Sequence, residues 1–196
     1  MAEVVTLPKG TALYPHLNSP DFKFAEHGAY QTGLSVPVEE AKPVMDKIAK
    51  FFETSHGKKI NPSDNSAWKL EEDDQGERTG RVVFRAKAVN RINKAGDLWD
   101  RKPNIVDAKG AVTTAKVGKG STIRIGCELY AWDSNGKKGV SLQPVVVQVI
   151  ELVENTSSVS LSDYGIEEEE GYSASDDSPL VQMDEQSVDV EDHDDF

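Results

Sequence analysis

Thr122-Ile-Arg-Ile-Gly-Cys-Glu-Leu-Tyr-Ala-Trp132 decides the fold. Ile123, Ile125, Cys127, Leu129 and Ala131 fall on one face, and Arg124, Glu128, Tyr130 and Trp132 on the other. That period of two belongs to a β-strand with one buried side. Asn135-Gly136 follows, and both residues tolerate positive φ, so the chain is expected to turn there and return through a second long strand at 140–153. Pro144 has no N–H to give a ladder, so it predicts an edge position or a bulge.

Outward from this hairpin, residues 81–92 alternate in the same way. Val82, Phe84, Ala86 and Ala88 oppose Arg81, Arg85, Lys87 and Arg91, which makes an apolar and a cationic face. Residues 10–17 and 30–38 read as earlier strands, the second with Tyr30, Thr32, Leu34 and Val36 on one side. Between them and 81–92, Val44, Met45, Ile48, Phe51 and Phe52 recur at helical spacing, ending near Ser55-His56-Gly57. Pro43 fits such a helix only in its first turn. Residues 61–64 read as a turn, 66–70 as a short strand around a structural Trp68, and 93–120 as loop with one strand at 104–108. Some six strands and one helix, without regular β–α alternation, predict a mainly β protein. The expected fold is an oligonucleotide-binding (OB) barrel of five to six antiparallel strands with a capping helix; a β-sandwich is the alternative.

Charge divides the chain at residue 154. Residues 155–196 hold fourteen Asp and Glu and no Lys or Arg, so they carry −14 against −12 for the whole chain. Residues 1–154 are left at +2. The expected organisation is one nucleic-acid-binding domain at 1–154 and a disordered acidic interaction tail at 155–196. Residues 78–138 hold fourteen basic and five acidic side chains, a local excess of +9 that suits a polyanion partner. The candidate phosphate contacts are Arg81, Arg85, Lys87, Arg91, Arg101, Lys102, Arg124, Lys137 and Lys138, with Tyr130, Trp132 and Trp99 offering flat faces on which bases stack. The competing structural reading has Tyr130 and Trp132 covering a second small core or a dimer contact.

Catalysis finds little support. His16, His27, His56 and His193 lack metal-ligand spacing with one another or with Cys127, which reads as a small buried hydrophobe. Lys116-Val-Gly-Lys-Gly120 lacks the spacing of a phosphate loop and reads as a flexible basic turn; Glu39-Glu40 are helix-start residues. No enzyme activity, cofactor or metal is expected. With one cysteine, no secretion signal and no apolar run of membrane-spanning length, the expectation is a soluble protein without a membrane partner.

The run from Gly118 to Trp132 with the strand after it, the opening Gly10-Thr-Ala-Leu-Tyr14, the Pro20-Asp21-Phe22 turn, the early helix and the terminal Asp194-Asp195-Phe196 together resemble the replication single-stranded DNA-binding proteins of short-tailed bacteriophages. The resemblance covers nearly the whole chain and rests on the order of its parts. It implies an OB fold that coats single strands with little sequence preference, in the cytoplasm of an infected host cell. It further implies a tail, here Asp192, Asp194, Asp195 and Phe196, that docks on the phage DNA polymerase, the primase-helicase and the protein's own DNA cleft. A homodimer is one option for its assembly. An RNA-binding OB protein and an acidic-tailed chaperone or structural protein remain alternatives.

Overall fold

The computed structural model describes residues 3–61 and 67–154. In chain order its elements are β1 (Val4–Thr6), β2 (Gly10–Asp21), β3 (Ala29–Pro37), α1 (Val38–His56), β4 (Trp68–Glu72), β5 (Arg78–Val89), β6 (Arg91–Ile92), β7 (Leu98–Trp99), β8 (Asn104–Val106), β9 (Thr122–Ser134) and β10 (Lys137–Glu151). The 61–64 turn falls mostly outside the described residues. So does the whole expected tail, with Asp192, Asp194, Asp195 and Phe196.

β9 and β10 form the expected hairpin, with Asn135 at φ 52° and Gly136 at φ 76° in its turn. These two long strands are the spine of a closed barrel. β9 pairs with β2, β2 with β3, β3 with β5, β5 with β10, and β10 again with β9. Five strands closed in this order make an OB fold. One seam departs from the antiparallel expectation: β5 meets β10 in parallel at Ala86 and Leu142.

The inward residues show how closure is achieved. β3 buries Tyr30, Thr32, Leu34 and Val36, β5 buries Val82, Phe84, Ala86 and Ala88, and β9 buries Ile123, Ile125, Cys127 and Leu129 on alternate positions, while Ala29 and Ser35 of β3 and Val83 of β5 are buried on the opposite phase. β10 changes phase, burying Val140 and Leu142 and then Val147 and Val149, with a register shift between Pro144 and Val146. Pro144 therefore marks a bulge, not an edge. There β10 exchanges β5 for β8 as its second partner, so the missing N–H falls where the ladder is already interrupted. β2 changes phase likewise, from Ala12 to Leu17, beside Pro15.

α1 packs on the barrel through buried Ala41, Ile48 and Phe52, with Val44, Met45 and Phe51 half-buried, and it ends on left-handed Gly57 at φ 66°. It starts at Val38, so Pro43 stands in the second turn and not the first as expected. The cost, about 3 kcal/mol for an interior proline, is moderated because Glu39, whose carbonyl loses its partner, lies on an exposed face where water can serve. Trp68 packs half-buried against the core opposite Phe84, as its structural reading required.

The basic turn at 116–120 is pinned, contrary to expectation. Gly118 N–H donates to the Val153 carbonyl, Gly120 N–H to Ala12, and Ser121 N–H to Gly118.

Burial pushes the Cys127 thiol from 9.0 up to about 12. The Tyr30 phenol rises from 10.0 to about 12, first through burial, then through its hydrogen bond to the Asp100 carboxylate and that group's charge. Both are acids that the fold keeps neutral, so their contribution is complete below the unfolded values and is lost as pH climbs toward about 12. Urea midpoints should fall over that alkaline range, and Tyr30→Phe with Cys127→Ala should flatten the fall; an unchanged slope would refute this assignment.

Candidate nucleic-acid interface

The outer faces of β3, β5, β10 and β9 form a continuous surface, because residues flanking each inward position point away from the barrel. Gly33 of β3 lies opposite Arg85 of β5, and Gln31 opposite Lys87. Across the parallel seam, Ser141 and Gln143 flank Leu142, and Ser141 lies opposite Tyr130. A cavity of about 330 Å³ opens here, lined by Lys87, Val89, Arg91, Tyr130, Trp132, Ser134, Ser141 and Gln143. Beside it a second, of about 450 Å³, is lined by Leu13, Tyr14, Gln31, Thr32, Gly33, Val83 and Ala86, by the cations Lys69, Arg85 and Lys87, and by the carboxylates Glu71 and Glu72. Lys87 belongs to both, so the two make one groove.

The aromatic groups are held in particular ways. Tyr130 is 45% exposed, and the Arg91 guanidinium lies 5.9 Å from its ring centre. Trp132 lies over Gly139: a Cβ placed there would come 2.3 Å from the indole, so only glycine lets the ring lie flat on the strand. The Gly139 carbonyl is 3.2 Å from Nε2 of His56 at the end of α1. Trp99 is exposed on the β6–β7 ribbon, with the Arg101 guanidinium 4.8 Å from its ring centre. Such pairs present a cation and a flat face together.

That ribbon is fixed at its base. Buried Asn90 donates from its side chain to the His27 carbonyl and accepts from Arg101 N–H, while the Arg101 guanidinium donates to Gln143 Oε1 at 2.7 Å. Burial and the neighbouring Arg91 lower the Arg101 pKa, and Glu128 opposes them. The Arg91 charge thus opposes that of Arg101, and an anion bound between them would offset this repulsion.

Of the residues singled out in the sequence, Arg85, Lys87, Arg91, Tyr130 and Trp132 line the groove, and Arg101 joins them through Gln143. Arg81 lines neither cavity; its guanidinium donates to Ser35 Oγ and the Ser35 carbonyl and lies 3.5 Å from Glu71. Arg124 is exposed opposite Gln148, six residues and roughly 20 Å along β9 from Tyr130. Lys137 and Lys138 sit at the hairpin tip, Lys138 3.6 Å from Asp133. Lys102 lines a separate cavity with Asn18, Asn104 and Thr113. Sequence reading missed Lys69, Gln31, Gln143 and Tyr14. The signal for Gln143 and Tyr14 was available, since each precedes a strand proline.

Solved structures of two phage proteins share this architecture. The chain is similar to gp2.5, a single-stranded DNA-binding protein encoded by bacteriophage T7, at 23% identity over 89% of this chain and 100% of that one, with a TM-score of 0.62. It is similar to the single-stranded DNA-binding protein of bacteriophage Enc34 in a C-terminal truncation and in a complex with ssDNA. Each is 15% identical over 77% of this chain, covering 87% and 88% of theirs, at a TM-score of 0.59. This chain shares their fold. No protein-family model matches it, and no curated protein does.

Proposed function

We propose that the protein is a non-enzymatic single-stranded DNA-binding protein of phage DNA replication and recombination, working in the cytoplasm of the infected host cell. The cavity in which Lys87 and Arg91 meet Tyr130 and Trp132 carries this reading. Its cations suit phosphates, and the exposed Tyr130 ring with the half-buried Trp132 indole suits unpaired bases whatever their identity. Arg85 extends the phosphate track; Trp99, Arg101, Lys102, Arg124, Lys137 and Lys138 supply peripheral contacts. The shared fold with two phage proteins that bind ssDNA supports the reading. Residues 1–154 bind DNA as a monomer or homodimer. The acidic tail competes with DNA and, through Asp192, Asp194, Asp195 and Phe196, recruits the phage DNA polymerase and primase-helicase.

The test is oligo-dT binding followed by tryptophan quenching as salt is raised. Three or four phosphate contacts predict a log–log slope of about −2 to −3 on a single strand. Equal affinity for duplex, or tighter binding to RNA of matched sequence, would overturn the assignment.

A further inference from the structure

Tyr14 is the anomaly of the barrel. It is 72% exposed and has φ 48°, a left-handed backbone that a bulky residue rarely adopts. The cause is local. Leu13 pairs with Gly33 and His16 with Gln31, so three steps along β2 face two along β3. The extra residue makes a bulge, Pro15 has no N–H to repair it, and the bulge re-aims the Tyr14 side chain.

The ring is not left alone. The Lys119 ammonium lies 4.9 Å from its centre. Lys119 reaches it from the pinned 116–120 turn, whose Gly120 N–H is bonded to Ala12, two residues from Tyr14 on the same strand. Below the ring is the larger cavity, whose floor is bare at Gly33. A Cβ there would meet Val83 Cγ1 at 3.1 Å and Leu13 Cβ at 3.3 Å. Arg85 and Lys87 of β5 line it beyond Gly33, and Lys69, Glu71 and Glu72 of β4 close its far side.

We infer that Tyr14, with Lys119 beside it, is a second base-stacking station of the groove, taking an unpaired nucleobase on the ring and a phosphate on the ammonium. It stands four strands from Tyr130 across β3, β5 and β10, on the order of 20 Å over the curved surface, with Arg85 and Lys87 between the two stations. Backbone strain persists where the surroundings impose it, and such places are often functional. Here the left-handed position is occupied by a tyrosine that is exposed and contributes no core packing. This station rests on the proposed function, and its test separates the two.

The full chain carrying Tyr14→Gly loses the ring and relaxes the backbone, whereas Tyr14→Phe keeps the ring. Binding is read by anisotropy of a labelled oligo-dT about 16 nucleotides long, alongside thermal melting. Tyr14→Gly is expected to bind about 5- to 150-fold more weakly, the range for one stacked base, while its melting temperature holds or rises. Tyr14→Phe should bind as the wild type does. Wild-type affinity in Tyr14→Gly, or a binding loss accompanied by a lower melting temperature, would overturn the station alone. Failure of the wild type to bind the oligonucleotide would overturn the proposed function with it.

Discussion

Truncating Tyr130 and Trp132 together to alanine is expected to weaken oligo-dT binding by roughly two to four orders of magnitude, since each stacked base contributes about 1–3 kcal/mol. The two rings line one cavity and stand on alternate residues of β9, so a strand passing through it meets both. Their structural costs should differ. Tyr130 is exposed, and its removal should leave the melting temperature nearly unchanged. Trp132 is half-buried over Gly139, so its truncation should cost stability as well as binding. Gly139→Ala separates the effects: its methyl group displaces the indole without deleting it, and binding should fall although both aromatics remain. Anisotropy of labelled DNA is the appropriate measurement, because losing Trp132 also removes a fluorescence reporter. A double variant within about threefold of wild type would mean that the rings serve the fold and not the ligand.

The barrel was legible wherever the core-facing residues keep one phase. On β3, β5 and β9 alternate residues are buried along the strand, even though Ala29, Ser35 and Val83 are also covered on the opposite phase, and a period-two pattern records that directly. The helix was legible for the same reason at its own period. The parallel meeting of β5 with β10 was not, because pairing between distant segments leaves no local trace. The bulges in β2 and β10 shift the buried phase, and they hid Tyr14 and Gln143 although Pro15 and Pro144 advertised both. Within 93–120, and before it, a repeated turn went unread. Asp73, Asn93 and Asp107 each accept, on one side-chain oxygen, the N–H groups two and four residues on, with a left-handed glycine three residues on. The Asx-x-x-Gly spacing was visible, and one copy builds the β6–β7 ribbon that carries Trp99. Among the candidate cations, alternation assigned Arg81 to the same face as Arg85, but it could not reveal that Ser35 and Glu71 engage its guanidinium.

Deleting residues 155–196 is expected to tighten single-strand binding by about tenfold near 50 mM salt, if the attached tail acts at roughly millimolar effective concentration on a groove that holds it at about 100 μM. The sign follows from charge: the deletion removes −14 and leaves +2, so DNA no longer competes with a linked polyanion. Salt should erase the gain, because both ligands of the groove are held by charges that screening weakens over about 10 Å at 0.1 M. Net charge alone would also favour DNA after deletion, without any docking of the tail. A full-length chain whose residues 155–196 are scrambled keeps the charge and loses the order. If it binds DNA as the wild type does, competition needs only charge; if it binds more tightly, sequence matters, and Phe196→Ala should reproduce part of the gain. Unchanged or weaker binding by the truncated chain at low salt would refute competition. Loss of polymerase or primase-helicase binding on deletion would then have to be explained as recruitment that is independent of DNA.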